Sequence, residues 1–128
     1  MTAHVGITAG YAALLALLYL ALSLRVIAYR RGNRISLGDA GDPALLSRIR
    51  AHGNLAEYAP LALVLLLIAE LGGAGLWVLH VGGGMLLAGR LAHAVALSLP
   101  PTGLPLRTIG MALTFTAIGW LAVAAVAA

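Results

Sequence analysis

The sequence predicts an all-α integral membrane protein, built as a bundle of four transmembrane helices. Of its 128 residues, 62% are hydrophobic and only 9% are charged, whereas ordinary soluble domains contain about 25% charged residues. The mean hydropathy is +1.00. A helix needs about 20 mainly apolar residues to cross a bilayer. Long uncharged runs approach or exceed this length, and they cover residues 1–24, 71–89, 91–106 and 108–128. The composition therefore excludes a soluble globular domain.

Caps and breakers set the ends of the predicted helices. Asp42 followed by Pro43 is a typical helix start, with an N-cap acid and a proline in the first turn. Gly72 ends that helix, and Pro100 ends the next one. The helices are placed at residues 5–29, 43–71, 75–98 and 105–127. They leave no room for a second folded unit, so residues 1–128 are predicted to form one membrane domain.

The arginines predict the topology. All eight basic residues are arginines, and they flank the loop after the first helix and the loop after the third. Because basic residues favour cytoplasmic loops, we expect both termini on the outer side. The topology also accounts for the net charge of +4, so no nucleic-acid partner is expected. Arginine without lysine, together with abundant alanine and glycine, is typical of a GC-rich bacterial coding bias, which bears on origin only. The expected location is a bacterial inner membrane.

The second helix carries a polar stripe. At about 100° per residue, Arg50, Asn54 and Glu57 lie within about 60° of one another on an otherwise apolar helix. Glu57 precedes Glu70 by thirteen residues, which places it about 20 Å from the outer end at ~1.5 Å per residue. An ionised side chain at that depth needs a partner or a wet cavity.

Two interpretations of this stripe remain open. Glu57 could form a structural ion pair with Arg90 or with Arg25 on a neighbouring helix. Alternatively, the stripe could line a polar pocket that opens to the cytoplasm and binds a small zwitterionic or anionic ligand. Small residues at Gly84, Ala88, Ala92 and Ala96 form a face on the third helix, which reflects either plain alanine abundance or a helix contact.

The segment Arg50 to Leu61, with the pattern Arg-Ala-His-x-Asn-x-x-Glu-Tyr-x-Pro-Leu, resembles the second helix of the MAPEG family, the membrane-associated proteins in eicosanoid and glutathione metabolism. Ser23 to Ile27 and the arginines that follow are similar to its leukotriene-conjugating synthase branch. The resemblance implies a homotrimer of four-helix subunits, with glutathione as cosubstrate between adjacent subunits and the site open to the cytoplasmic side.

The same resemblance assigns roles to individual residues. Arg107 matches the arginine proposed to stabilise the glutathione thiolate, and Arg31 is the second choice for that catalytic role. The residues expected to bind glutathione are Ser23, Arg30, Arg50, His52, Asn54, Glu57, Tyr58, Arg90 and His93. His52 lies about 160° from the Arg50 stripe, so it either serves a different subunit or packs structurally. The third helix departs from the synthase branch, because His93 and Leu97 stand where that branch has two tyrosines.

Three functions follow as hypotheses. The first is a glutathione-dependent membrane transferase or peroxidase, in which the thiolate attacks a hydrophobic electrophile that enters from the membrane lipid. The second is a MAPEG-fold protein without catalysis, acting as a binding or structural scaffold, and the missing tyrosine favours it. The third is a small proton-coupled exporter that uses Glu57, although an exporter of cationic drugs would not need Arg50 on the same face.

Overall fold

The computed structural model describes residues 4–98 and 103–128, which form four helices and contain no strand. The helices are α1 (Gly6–Asn33), α2 (Pro43–Leu71), α3 (Leu76–Ser98) and α4 (Gly103–Ala127). All four are long and apolar enough to cross a membrane, which confirms the predicted all-helical membrane architecture. Helix α1 continues past Tyr29 until Arg34, which adopts a left-handed conformation and donates its backbone N–H to the Arg30 carbonyl. The Pro100 break lies outside the described residues.

The four helices run up and down, with successive helices antiparallel. At one end Arg25 of α1 donates to the Ser98 hydroxyl at the close of α3, over 2.5 Å. We call this the arginine-rich end, because α1 finishes and α2 begins there. At the opposite end the Glu70 carboxylate accepts the backbone N–H groups of Ile7 and Thr8, over 2.9 and 2.7 Å. Helix α2 contacts all three other helices, whereas α1 and α4 do not contact each other within the described residues.

The start of α2 is tied to the end of α1 by Asp42. This N-cap carboxylate accepts the N–H of Ala44 over 2.9 Å and the hydroxyl of Tyr29 over 2.5 Å. The Tyr29 hydrogen bond holds the pKa of the Asp42 carboxyl below its usual value, against the opposing effect of partial burial. The Arg48 guanidinium also lies 4.4 Å from the Tyr29 ring centroid. These contacts fix where α2 begins at the arginine-rich end.

Helices α3 and α4 approach each other through glycines. A Cβ atom on Gly89 would lie 2.8 Å from the carbonyl oxygen of Gly110, and one on Gly110 would lie 2.8 Å from that of Gly89. Of the small-residue face expected on α3, Ala96 is buried but Ala88 is exposed. The contact with α4 therefore runs along a different line of α3, the line that contains Gly89. At this crossing the two helix backbones come too close for a side chain at either glycine.

The core is built mainly from leucine and alanine. The larger cluster lies towards the arginine-rich end and in the middle of the bundle, and the smaller one lies towards the opposite end. Alanine side chains let neighbouring helices approach closely, as is typical of packing between membrane helices. The larger cluster comprises Leu15, Leu22, Ala51, Leu55, Ala59, Ala62, Leu86, Ala94 and Ala117. Because this cluster occupies one side of α2, the polar stripe of α2 faces away from it.

Candidate functional site

The polar stripe of α2 forms an ion pair on the surface of the bundle. Arg50 Nη1 and Nη2 each lie 3.2 Å from a carboxylate oxygen of Glu57, two helical turns away. The two side chains are 48% and 53% exposed. Gly53 lies between them, and a Cβ atom there would be 3.2 Å from Arg50 Nη1. A glycine at this position thus lets the arginine lie flat along the helix.

The ion pairs that the sequence suggested for Glu57 do not form within the described residues. Arg25 is bonded to Ser98, and the partners of Arg90 are neutral. Glu57 instead pairs with Arg50 of its own helix. The reason is geometric: Arg90 points from α3 to the other edge of the α2 stripe, where it meets Asn54.

Among the described residues, Arg90 has the most deeply buried charged side chain, with 2% of its surface exposed. Its Nε donates to Thr114 Oγ1 over 2.9 Å, Nη1 donates to the side-chain and backbone oxygens of Asn54, and Nη2 contacts the Met111 sulfur at 3.2 Å. The guanidinium carbon also lies 5.6 Å from the Tyr58 ring centroid. Arg90 therefore joins α2, α3 and α4 at one point.

A cavity of about 440 Å³ adjoins this network. It brings together three of the predicted site residues: Asn54 from α2, His93 from α3 and Arg107 from α4. The remaining lining residues are mainly apolar: Leu104, Thr108, Met111, Ala112 and Phe115. Tyr58 packs edge-on against Phe115 with the ring centroids 5.6 Å apart. The cavity thus combines an arginine, three other polar side chains and an apolar wall.

The predicted site residues of α1 lie elsewhere. Arg30 and Arg31 line a second cavity of about 410 Å³, together with Arg34 and residues 27, 35 and 36. Arg30 Nη1 donates to the carbonyl of Gly38 over 2.8 Å. Ser23 donates to the carbonyl of Tyr19 in its own helix, over 2.8 Å. None of the α2, α3 or α4 residues named above lines this second cavity.

His52 faces α1 rather than the Arg50 stripe. Its ring lies on Tyr19, with the centroids 4.6 Å apart. The Nε2 atom is buried and has no hydrogen-bond partner among the described residues. The side chain therefore packs at the α1–α2 contact and keeps one polar atom unsatisfied.

Two residues of the Arg90 network were not among the sequence candidates. Thr114 and Met111 share a face of α4 with Arg107, at spacings of seven and four residues. This spacing could have indicated that Thr114 and Met111 lie near the site of Arg107. An isolated threonine or methionine in an apolar helix is nevertheless unremarkable until the neighbouring helix is known to place an arginine beside it.

Comparison with known proteins agrees with this architecture. The MAPEG family model matches residues 8–127, which is nearly the whole chain. The Escherichia coli protein named Inner membrane protein YecN is 47% identical over 87 residues, and the same protein from a second strain matches equally. The aligned stretch covers 68% of this chain and 66% of the relative, just under two thirds of its length. With a match that runs through all four membrane helices, the chain belongs to the MAPEG family.

Proposed function

We propose that this protein binds glutathione between adjacent subunits of a homotrimer and activates its thiol for attack on a hydrophobic electrophile, as a membrane transferase or peroxidase. The site would open to the cytoplasmic side of a bacterial inner membrane, with both termini outside. The observation that carries the proposal is the cavity shared by Asn54, His93 and Arg107, with the exposed Arg50–Glu57 pair on the same polar face of α2 as Asn54.

The exposure of that pair supports a site rather than a lipid-facing surface. A charged side chain facing the centre of a bilayer costs roughly 2.5–3.5 kcal/mol on insertion scales. Arg50 and Glu57 are both about half exposed in the single chain. Such charges are accommodated when they face a water-filled cavity, a polar ligand or another subunit, and a site between subunits supplies all three.

The available groups fit glutathione. This tripeptide carries two carboxylates, one ammonium group, two amides and a thiol. Arg50 can bind a carboxylate in a bidentate manner, and Glu57 can accept from an ammonium group. Asn54 can hydrogen-bond to an amide, and Arg107 remains as a cation for the thiolate. A cavity of about 440 Å³ also lies in the usual range for small-molecule sites, about 300–1,000 Å³.

One arginine is sufficient for thiol activation. Lowering a thiol pKa from about 8.5 to about 6.5 requires roughly 2.7 kcal/mol of preferential thiolate stabilisation. A guanidinium at about 4 Å supplies up to ~4 kcal/mol at an effective dielectric constant of about 20. The nucleophile comes with glutathione, so the absence of cysteine from the sequence is no obstacle. In the transferase reaction, the thiol releases its proton to water, and the thiolate forms the bond to the electrophilic carbon while the leaving group departs with the electron pair of the broken bond. In the peroxidase reaction, the thiolate attacks a peroxide oxygen, the alkoxide leaves and takes up a proton, and a second glutathione displaces water to give the disulfide.

The separation of the two cavities supports a site shared by two subunits. Arg107, Asn54 and His93 line one cavity, whereas Arg30 and Arg31 line another. In the proposed trimer, the α1 face of one subunit meets the α2–α4 face of the next. Arg30 and Ser23 would then complete the site from the neighbouring subunit, with Arg31 as the alternative thiolate partner, whereas the buried His52 would only pack against α1.

The test is a titration of the detergent-purified protein with glutathione, followed by calorimetry and by the ultraviolet absorbance of the thiolate. We expect Arg107→Ala to bind glutathione but to lose the thiolate signal, because only the sulfur loses its cation. Glu57→Gln should weaken binding about tenfold or more, since it removes a charged partner. Arg48→Gln is the matched control, because Arg48 packs on Tyr29 outside both cavities.

The alternatives give different results in the same assay. Leu97 packs against the larger core cluster and offers no hydroxyl where the synthase branch has a tyrosine. This observation favours a non-catalytic scaffold. Binding without any thiolate signal in the unmodified protein would support that scaffold. Lack of glutathione binding would exclude the transferase or peroxidase, and uptake of a cationic dye driven by a pH gradient would then support the exporter.

A further inference from the structure

We propose that Thr114 is a positioning residue of the glutathione site. Its hydroxyl orients Arg90, and Arg90 in turn fixes the side-chain amide of Asn54 so that the NH2 group is presented to the ligand. The inference rests on the proposed function and adds to it a residue of α4 and the chemistry of one ligand contact.

Arg90 acts through its neighbours because it cannot reach the ligand directly. The side chain is 2% exposed, and it is not among the residues that line the cavity. Each of its three guanidinium nitrogens is already engaged, by Thr114, Asn54 and Met111. Two of these partners, Asn54 and Met111, do line the cavity. Arg90 therefore lies behind the cavity wall and holds parts of it in place.

The contact with Arg90 determines which end of the Asn54 amide the ligand meets. A guanidinium group has only donors, so it is the oxygen Oδ1 of Asn54 that faces Arg90. The amide is planar, so Nδ2 and its two hydrogens lie on the side away from that bond. Asn54 thus offers a donor, and the matching ligand group is an acceptor: a carbonyl or carboxylate oxygen. Without Arg90 held in place, the amide could turn over and present the wrong group.

Thr114 is arranged to accept from Arg90. The residue is fully buried, and its hydroxyl donates to the carbonyl of Gly110 over 2.8 Å. With its only proton committed, the oxygen has lone pairs left for the Nε–H of Arg90, which lies 2.9 Å away. The close approach of Gly89 to Gly110 brings α3 near enough to α4 for this bond.

The partners of Arg90 make its orientation depend on this hydroxyl. No carboxylate lies within salt-bridge distance of Arg90 in the described ranges 4–98 and 103–128. Neutral acceptors therefore hold the guanidinium, and each of them matters because a buried N–H group without an acceptor is unfavourable. Valine has the shape of threonine but cannot accept, whereas serine retains the oxygen.

The experiment compares Thr114→Val with Thr114→Ser by glutathione calorimetry and thermal melting. We expect Thr114→Val to raise the Kd for glutathione about tenfold and Thr114→Ser to change it less than about twofold. The thiolate absorbance per bound glutathione should stay unchanged in both variants, since Arg107 is untouched. The decisive arm is a double-mutant cycle: in an Asn54→Ala background, Thr114→Val should cause no further loss of affinity.

The outcomes separate the two proposals. If the unmodified protein does not bind glutathione, the proposed function fails and the role of Thr114 fails with it. If the protein binds but Thr114→Val binds equally well, only the role of Thr114 is overturned. The same conclusion holds if the losses of affinity in the double-mutant cycle are additive. It also holds if Thr114→Val and Thr114→Ser lower the affinity equally and in proportion to their loss of melting temperature, because Thr114 would then contribute to packing alone.

Discussion

Two charged side chains on apolar helices are accommodated in different ways. Arg90 is buried, and neutral acceptors together with the Tyr58 ring surround its guanidinium. Glu57 remains half exposed and pairs with Arg50. A buried cation with satisfied hydrogen bonds is a fixed structural element, whereas an exposed ion pair contributes at most about 1 kcal/mol and can exchange its partner. The exposed pair is therefore the part of the stripe that is free to bind a ligand.

Gly53 tests whether the position of Arg50 matters. A Cβ atom at this position would lie 3.2 Å from Arg50 Nη1, so Gly53→Ala shifts the guanidinium by a few tenths of an ångström. Stability should be unchanged or should rise by up to ~1 kcal/mol, because alanine is the better helix former. Affinity for glutathione, measured by calorimetry, should fall about threefold, which corresponds to ~0.7 kcal/mol.

The matched control for this change is Gly10→Ala in α1, where no atom lies within 4 Å of the added Cβ. It carries the same gain in helix propensity with no effect on Arg50. Equal glutathione affinities for Gly53→Ala and Gly10→Ala would show that the placement of Arg50 along the helix is not required.

At the scale of the helices, the ends and the crossing points are secured by specific contacts. Glu70 near the end of α2 accepts two N–H groups in the first turn of α1, where the helix dipole also favours a negative charge. Trp120 of α4 donates to the carbonyl of Val78 in α3 over 2.9 Å. These contacts hold the helices together at the end of the bundle opposite the arginine-rich end.

The crossing of α3 and α4 gives a prediction at this scale. The added Cβ of Gly89→Ala would lie 2.8 Å from a backbone carbonyl, which cannot move aside as a flexible side chain can. The helices must separate, at a cost of about 1–3 kcal/mol in unfolding free energy. The separation also lengthens the Arg90–Thr114 bond. The melting temperature in detergent should fall, and glutathione affinity should fall with it.

Gly84→Ala in the same helix is the control, since the nearest atom to its Cβ would be the Tyr11 hydroxyl oxygen at 3.9 Å. A melting temperature for Gly89→Ala as high as that of Gly84→Ala would contradict the close-packed crossing.

At the scale of the whole molecule, a single chain presents two separate sets of polar groups. One set lies around Arg107 and the other around Arg30. Each is open at the surface of a bundle whose helices are otherwise apolar enough to face lipid. Assembly of several copies would bring the two sets together and would remove charged groups from the lipid, which is the physical basis of the proposed trimer.

Mixed assemblies test this arrangement. Arg30→Gln removes a cation from the set around Arg30, and Arg50→Gln removes the cation of the exposed pair on the α2 face that also carries Asn54. Neither variant alone should therefore bind glutathione tightly. The two variants are co-expressed with different tags, and the mixed oligomers are purified. One interface in each mixed trimer then combines the intact Arg50 of one variant with the intact Arg30 of the other. Glutathione binding measured by calorimetry should then be restored to a fraction of the sites, at the affinity of the unmodified protein.

The two homo-oligomers mixed after purification, without exchange of subunits, are the control. Mixed oligomers that bind no better than either parent would contradict a site shared between subunits. A mass corresponding to a dimer would contradict the trimer itself.

Much of the architecture follows from the sequence alone. Long apolar runs must form helices in a membrane, because hydrocarbon leaves backbone groups no other partners. The Asp42–Pro43 start and the single face shared by Arg50 and Glu57 depend only on local rules, namely helix capping and the period of 3.6 residues. For the same reason the sequence was sufficient to place Glu57 at a polar face within an apolar helix.

Only the tertiary structure determines which helices meet and therefore which partner each polar group takes. The sequence left Arg90 and Glu57 as possible partners, but the crossing at Gly89 and Gly110 directs Arg90 towards Asn54 and Thr114. Local rules cannot fix this choice, because it depends on the rotation and separation of helices that are distant in sequence. The sequence thus determined the helices and the polar face of α2, and the close packing of α3 on α4 at their glycines decided which partners Arg90 meets.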